Sequence, residues 1–209
     1  MAQYFQIHPQ NPQPRLIKTA VSIIREGGII AYPTDSSYAL GCHIGDKNAM
    51  DRIHAIRRLD KTHNFTLVAR DLSEVSLYVK LENRQYRLIK SYTPGPYTFI
   101  LPASREVPRR LQNAKRKTIG LRIPDYPIVL ALLEELSEPI MSSTLIMPGA
   151  NEPLSDPHEI REILEHDVDL VIDGGPCGLE PTTVVDLVGG VPIIARQGKG
   201  EFGGSVNYQ

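Results

Sequence analysis

The chain has 209 residues, 41% of them hydrophobic and 22% charged, which suits one compact domain burying roughly 70% of its unfolded surface. No apolar run approaches the ~18–20 residues that span a bilayer, the start Met1-Ala2-Gln3-Tyr4-Phe5-Gln6 lacks the pattern of a secretory signal, and Cys42 and Cys177 cannot build a disulfide framework or a Cys-x-x-Cys zinc site, so a reduced cytoplasmic protein without a metal site is expected. The formal charge of −1 hides a split: residues 1–133 carry 20 Lys/Arg against 10 Asp/Glu, and residues 134–209 carry 3 against 14, a cue either for polyanion binding on one face or for zoning of a solvated surface.

In chain order, Pro14 opens a helix whose Leu16, Ile17, Ala20, Val21 and Ile24 recur at helical spacing, and Gly27-Gly28 ends it. Residues 29–32 read as a buried strand stopped by Pro33, 46–57 as a second helix and 65–68 as the next strand. Helical stretches follow near 71–79 and 83–92, then a strand over 97–101 after the turn Thr93-Pro94-Gly95-Pro96. Residues 119–123 read as strand, 127–136 as helix and 139–145 as strand. Asp156-Pro157-His158-Glu159 has the order of a capping box and opens a polar helix to about 165. Strands over 168–172, 183–187 and 192–195 complete the series. With elements intermixed throughout and no linker or repeat, a single α/β (α+β mixed) domain over 1–209 is predicted, built on one large mixed sheet.

Gly198, Gly200 and Gly203 spell Gly-x-Gly-x-x-Gly, but 6 residues remain after Gly203, too few for the helix that receives a dinucleotide pyrophosphate. A flexible C-terminal tail is expected there instead. Walker A, the Gly-x-Ser-x-Gly elbow and helical His-x-x-x-His or Glu-x-x-His pairs are all missing. Between Tyr32 and Cys42, a buried strand runs into Thr34, Asp35, Ser36, Ser37 and Tyr38. Ligands meet polar side chains at such strand ends, although Asp and Ser also cap plain turns.

Residues 105–117 hold Arg105, Arg109, Arg110, Lys115, Arg116 and Lys117 against Glu106, and Arg57, Arg58 and Lys61 form a smaller cluster. These cations could neutralise phosphates or form a solvated face. With only 4 Phe and no Trp, backbone and shape recognition of a duplex or folded RNA fits better than base stacking. Hydroxyls gather again at Ser142-Ser143-Thr144 and Thr182-Thr183, and Arg196 closes the last strand. Donors and a cation without a Ser/His/Asp or Cys/His set suit a phosphorylated or zwitterionic ligand more than covalent catalysis.

The segments Pro33-Thr34-Asp35-Ser36-Ser37-Tyr38-Ala39-Leu40-Gly41, Thr93-Pro94-Gly95-Pro96-Tyr97-Thr98, Thr118-Ile119-Gly120-Leu121-Arg122-Ile123-Pro124, Thr182-Thr183-Val184-Val185-Asp186 and Arg196-Gln197-Gly198 resemble, in this order, the YrdC/YciO family over about 15–198. Arg57-Arg58-Leu59 followed by His63-Asn64-Phe65-Thr66-Leu67 brings the likeness nearest the YciO branch. The resemblance implies a YrdC/RibB-like fold: a twisted open mixed sheet with flanking helices, a large basic concave cavity and a C-terminal tail over 199–209. It also implies binding of double-stranded RNA or tRNA and of a nucleotide or acyl-adenylate, linked to tRNA modification or translation. The alternative is an enzyme acting on L-threonylcarbamoyladenylate, as synthase from ATP, threonine and bicarbonate or as hydrolase. No tightly bound cofactor is implied, and ATP with Mg2+ would be a substrate.

Carried over by position, Thr34, Tyr38, Thr118, Arg122 and Thr182 lie at the threonine end, with Arg122 the bidentate partner of the carboxylate. Arg57, Arg58, Lys61, Ser143 and Arg196 lie toward the nucleotide and phosphates. Arg109, Arg110, Lys115, Arg116 and Lys117 are the residues expected to meet RNA, around or near the same cavity, with the acids of 134–138 and the helix after Asp156 on the far side. The family's Lys-x-Arg-Pro has no match in 57–67, and its Ser-Ala-Asn reads Ser143-Thr144-Leu145. Leu145 thus stands for an amide that hydrogen-bonds nucleotide, a contact worth on the order of 1 kcal/mol.

Overall fold

A computed structural model describes residues 1–59, 63 and 65–203. Along the first half run β1 (Gln3–Gln6), α1 (Pro14–Arg25), β2 (Ile30–Tyr32), β3 (Ala39–His43), α2 (Lys47–Arg57), β4 (Thr66–Val68), α3 (Leu72–Val75), α4 (Asn83–Tyr92) and β5 (Tyr97–Pro102). The second half holds β6 (Thr118–Arg122), α5 (Pro127–Leu136), β7 (Ile140–Thr144), α6 (Pro157–Leu164), β8 (Leu170–Asp173), β9 (Thr183–Asp186) and β10 (Ile193–Arg196). Among the described residues the strands form one 10-stranded mixed sheet, in the order β1-β8-β2-β3-β7-β4-β6-β5-β9-β10. No described helix is long and apolar enough to cross a membrane.

Local chemistry sets the helix ends. Pro14 needs no N–H partner in the first turn of α1, and Gly27, at φ +87°, reverses the chain so that the Gly28 N–H reaches Ile23 O at 2.8 Å. Asp46 caps α2 by accepting from the Ala49 N–H at 2.8 Å, and Asp156 caps α6 through the His158 N–H at 2.8 Å. Three stretches differ from the sequence expectation. β1 pairs in parallel with β8 although Gln3-Tyr4-Phe5-Gln6 offers no apolar run. β3 follows directly on the polar turn after β2. The helical stretch near 71–79 shortens to the single turn of α3, because Val79 leaves it to bridge Ala103.

The sheet's two faces are covered unequally. On one face, α2, α3, α4 and α6 bury Ile53, Val75, Ile89 and Ile160 against Leu40, Leu67, Phe99, Leu121 and Met141. On the other, α1 and α5 cover only the half bearing Ile30, Tyr32, Ala39, Val68, Ile140 and Ile172. Beyond α1 and α5, no described helix packs on this second face. The register aligns Gly41, Ser142, Thr66, Gly120 and Ile100 across five neighbouring strands there. Since alternate residues share a face, this row and its neighbours floor an open concavity.

Residues 197–202 are fastened down: Lys199 N–H bonds Pro181 O at 2.9 Å, Tyr97 OH bonds Glu201 O at 2.9 Å, and Phe202 is buried against Tyr92. Glycine permits this approach, for a Cβ on Gly198 would stand 2.2 Å from Pro181 O. Residues 204–209 of the expected tail lie outside the described residues.

Candidate functional site

The concavity is a cavity of roughly 290 Å³ lined by hydroxyls and cations: Thr66, Thr98, Ser142, Ser143, Thr144 and Thr182 with Arg57, Arg122 and Arg196. Gly120 keeps its floor low, since a Cβ there would come within 2.8 Å of Thr66 Oγ1 and 3.0 Å of Phe65 O. Arg122, 6% exposed, reaches it from β6. Its Nη2 donates to Thr34 Oγ1 and Ser36 Oγ, both at 2.9 Å, and to Asp35 Oδ1. Its Nε–H, also buried, has no hydrogen-bond partner among the described residues, and buried donors rarely stay unpaired without cause.

Arg57 arrives from the end of α2. Its Nε donates to Ile146 O at 2.7 Å and its Nη1 to Ser143 Oγ at 2.8 Å and to Thr144 O. β4 pairs β7 only from Ile140 to Ser142, so the Arg57 guanidinium serves carbonyls that no ladder partner reaches. Arg196 donates from Nη2 to Thr182 O at 2.9 Å, and Thr182 Oγ1 meets Thr98 Oγ1 at 2.8 Å. Burial, and then the charge of Arg196, lower the Arg57 pKa to about 10. Burial and the charge of Arg122 lower that of Arg196. Three guanidiniums therefore converge and repel, with Asp35 paired to one of them. An anion in the cavity would relieve this repulsion.

Of the other residues carried over from the sequence, Thr34 lies behind Arg122, where its Oγ1 donates to Ser37 O at 2.6 Å and organises the turn. Tyr38 points into the core side and donates to Gly175 O at 2.9 Å, burial driving its pKa up. Thr118 is fully buried one pleat before Gly120 and does not line the cavity. Arg58 sits in the left-handed cap of α2, at φ 48°, and lines a separate groove with Arg52 and His166. Lys61 lies outside the described residues. Burial pushes the Cys177 thiol up to about 11 and Cys42 to about 12, which leaves both protonated and unreactive at neutral pH.

The basic run lies near this cavity and not in its lining. Arg109, Arg116 and Lys117, with Lys80 and Arg105, line a second groove of about 750 Å³ at the end of the β5–β6 hairpin. The reason is the hairpin loop, which tucks Val107 and Leu111 into the core and carries its cations outward. Arg110 turns away to Gly45 O, and Lys115 does not line the groove. Arg116 links the two concavities through Asp186 at 2.6 Å, and Ile100, the strand partner of Asp186, lines the first.

The sequence reading assigns no role to Asp35, Thr66, Thr98 or His63. His63 lines the cavity edge-on to Phe65, at 5.6 Å between ring centres. Thr66 and Thr98 could have been found from strand alternation, because each shares a face with Gly120 and Arg122. Among the described residues no group of three or more His, Cys, Asp or Glu side chains is placed to hold a metal ion.

A family model for Sua5, YciO and YrdC proteins, described as telomere recombination, matches residues 22–198. The crystal structure of Escherichia coli YciO is similar at a TM-score of 0.94 and 57% identity, covering 96% of this chain and 98% of that one. The threonylcarbamoyl-AMP synthase of Pyrococcus abyssi is 31% identical over 185 residues, which cover 87% of this chain and 54% of that protein. The crystal structure of P. abyssi Sua5 complexed with L-threonine has a TM-score of 0.85 at 28% identity, covering 93% of this chain and 57% of that one.

Proposed function

Because the chain belongs to the Sua5/YciO/YrdC family, we propose that it binds a nucleotide or acyl-adenylate in the Arg57–Arg122–Arg196 cavity. Duplex RNA or tRNA would lie along the adjoining basic groove, in work linked to tRNA modification or translation. The observation that carries this reading is the convergence of three guanidiniums with one opposing carboxylate, a surplus of two positive charges. An acyl-adenylate bearing one charge on its phosphate and one on a carboxylate would balance it. Calorimetric titration with AMP tests the nucleotide part. Saturable binding is expected, and Arg196→Ala should weaken it about tenfold, the loss of one charge-assisted hydrogen bond. Absence of saturable binding overturns the reading.

A second reading, an enzyme acting on L-threonylcarbamoyladenylate, is favoured by the P. abyssi relatives, one named threonylcarbamoyl-AMP synthase and one solved with L-threonine. ATP with Mg2+, threonine and bicarbonate would be the substrates. A carbamate oxygen would attack the ATP α-phosphate and expel pyrophosphate, with the protein contributing position and charge neutralisation. Pyrophosphate release that needs all three substrates and disappears in Arg122→Ala supports it. Equal release by wild type and variant rejects the assigned site.

A further inference from the structure

β10 alone among the described strands has every residue exposed, from Ile193 to Arg196. It is also the last strand of the sheet and pairs, among the described residues, only with β9, so its outer edge offers backbone N–H and C=O groups to a further strand. Native edges are blunted by lysine, proline or a bulge. Here Pro192 precedes the strand and the bulge falls between Ile194 and Arg196, which leaves Ile193 and Ile194 open. Of the 8 exposed large hydrophobic side chains among the described residues, three stand within residues 191–194: Val191 at 50%, Ile193 at 62% and Ile194 at 45% exposure. Single exposed apolar residues are ordinary, whereas a contiguous group on an open edge marks an interaction site. Beside the start of β10, a groove of about 280 Å³ runs between α4 and the β9–β10 turn. Leu88, Leu187 and Pro192 give it an apolar lining, and Arg84 and Arg87 are its only charged groups. Buried Gln85 holds its shape by donating from Nε2 to Leu187 O at 2.8 Å.

We propose that β10 and this groove dock an extended peptide segment of a partner protein, apolar in its middle and acidic at its ends. Its backbone adds a strand along Ile193 and Ile194, and its apolar side chains cover the exposed Val191, Ile193 and Ile194. Charge selects the occupant. Neither Arg84 nor Arg87 has an ion-pair partner among the described residues, and Arg196 stands at the other end of the strand, so cations bracket the apolar stretch. A second copy of the chain, paired antiparallel along β10, would bring its Arg196 toward the Arg84 and Arg87 end and be repelled. Acids are attracted at both ends. Ala195 and Arg196 also line the cavity, so the docked segment lies beside it, although its binding does not depend on what the cavity holds.

The test titrates the ¹⁵N-labelled full chain with two synthetic peptides, Glu-Glu-Val-Ile-Val-Glu-Glu and its counterpart with lysine at each glutamate, and follows backbone amide shifts and hydrogen exchange. The acidic peptide should shift the Leu88, Gly190, Ile193 and Ile194 amides saturably and slow exchange in β10, and the lysine peptide should leave them in place. Ile194→Lys, which sets a charge on the open edge, should abolish these shifts while amides away from β10 keep their positions. Arg84→Glu with Arg87→Glu should weaken binding roughly tenfold. No response to the acidic peptide, or an equal response to both peptides, overturns the proposal. Sedimentation of the chain alone as a dimer that Ile194→Lys dissociates also overturns it, because the occupant is then a second copy. Duplex RNA shifting the same amides overturns it in favour of a nucleic-acid surface. Each of these failures leaves the AMP titration of the cavity to be decided separately.

Discussion

Gly198, Gly200 and Gly203 share one motif and meet three different surroundings. A Cβ on Gly198 would fall 2.2 Å from Pro181 O, one on Gly200 would fall 2.4 Å from the Tyr97 ring, and one on Gly203 would meet nothing within 4 Å. Gly198→Ala should therefore cost about 1–3 kcal/mol, since a carbonyl of the backbone must move, while Gly203→Ala should stay within about 0.5 kcal/mol. Urea unfolding of both variants checks this, and equal midpoints would refute it. The pattern is legible in sequence as three closely spaced glycines. Its packing role is not legible, for it depends on Pro181 and Thr182 lying alongside. The same holds for Asp35: its polarity at a strand end can be read directly, but its partner Arg122 stands 87 residues away.

At the scale of elements, burial decides what a sequence pattern can report. Strands with both faces covered, such as β2 and β8, announce themselves as apolar runs. β1 does not, because it lies at the sheet edge with Gln3 and Gln6 exposed. β7 shows a subtler limit. Matching Ser143-Thr144-Leu145 to the family motif puts Leu145 at a nucleotide contact, yet its side chain is fully buried in the core and its N–H bonds Tyr38 O at 2.9 Å. Thr144 and Ile146 line the cavity in its place. Leu145→Asn should accordingly bury an amide among apolar side chains and cost about 1–3 kcal/mol, with no gain in AMP affinity. Chemical denaturation and AMP calorimetry on the same variant measure both effects. Tighter AMP binding would show that position 145 faces the ligand after all.

Over the whole molecule, the acids of α6 and the cations of the β5–β6 loop stand apart along the sheet. β8 inserts between β1 and β2, so α6, which packs beside it, carries Glu159 and Glu162 to one end. The β5–β6 hairpin carries Arg105, Arg109 and Lys117 to a groove nearer the other end, which Lys80 also lines. A mixed sheet and a charge asymmetry were both legible in the sequence. The separation of the cations into a cavity and a groove was not, because it follows from the anchoring of Val107 and Leu111. At the ~4.8 Å spacing of neighbouring strands, β8 and β5 are about 29 Å apart, several times the ~8 Å over which physiological salt screens charge. Charges on α6 therefore should not influence a polyanion in the groove. Duplex RNA binding should weaken with salt at a log–log slope of roughly −3 to −4, about −0.9 for each of four phosphate contacts. The double variant Arg109→Glu, Lys117→Glu should reduce that slope by about 2, whereas Glu159→Lys with Glu162→Lys should leave slope and affinity unchanged. Gel-shift titrations across salt concentrations distinguish these outcomes. A flat slope removes RNA from the groove, and an equal response to both double variants means that net charge, rather than the groove, attracts it.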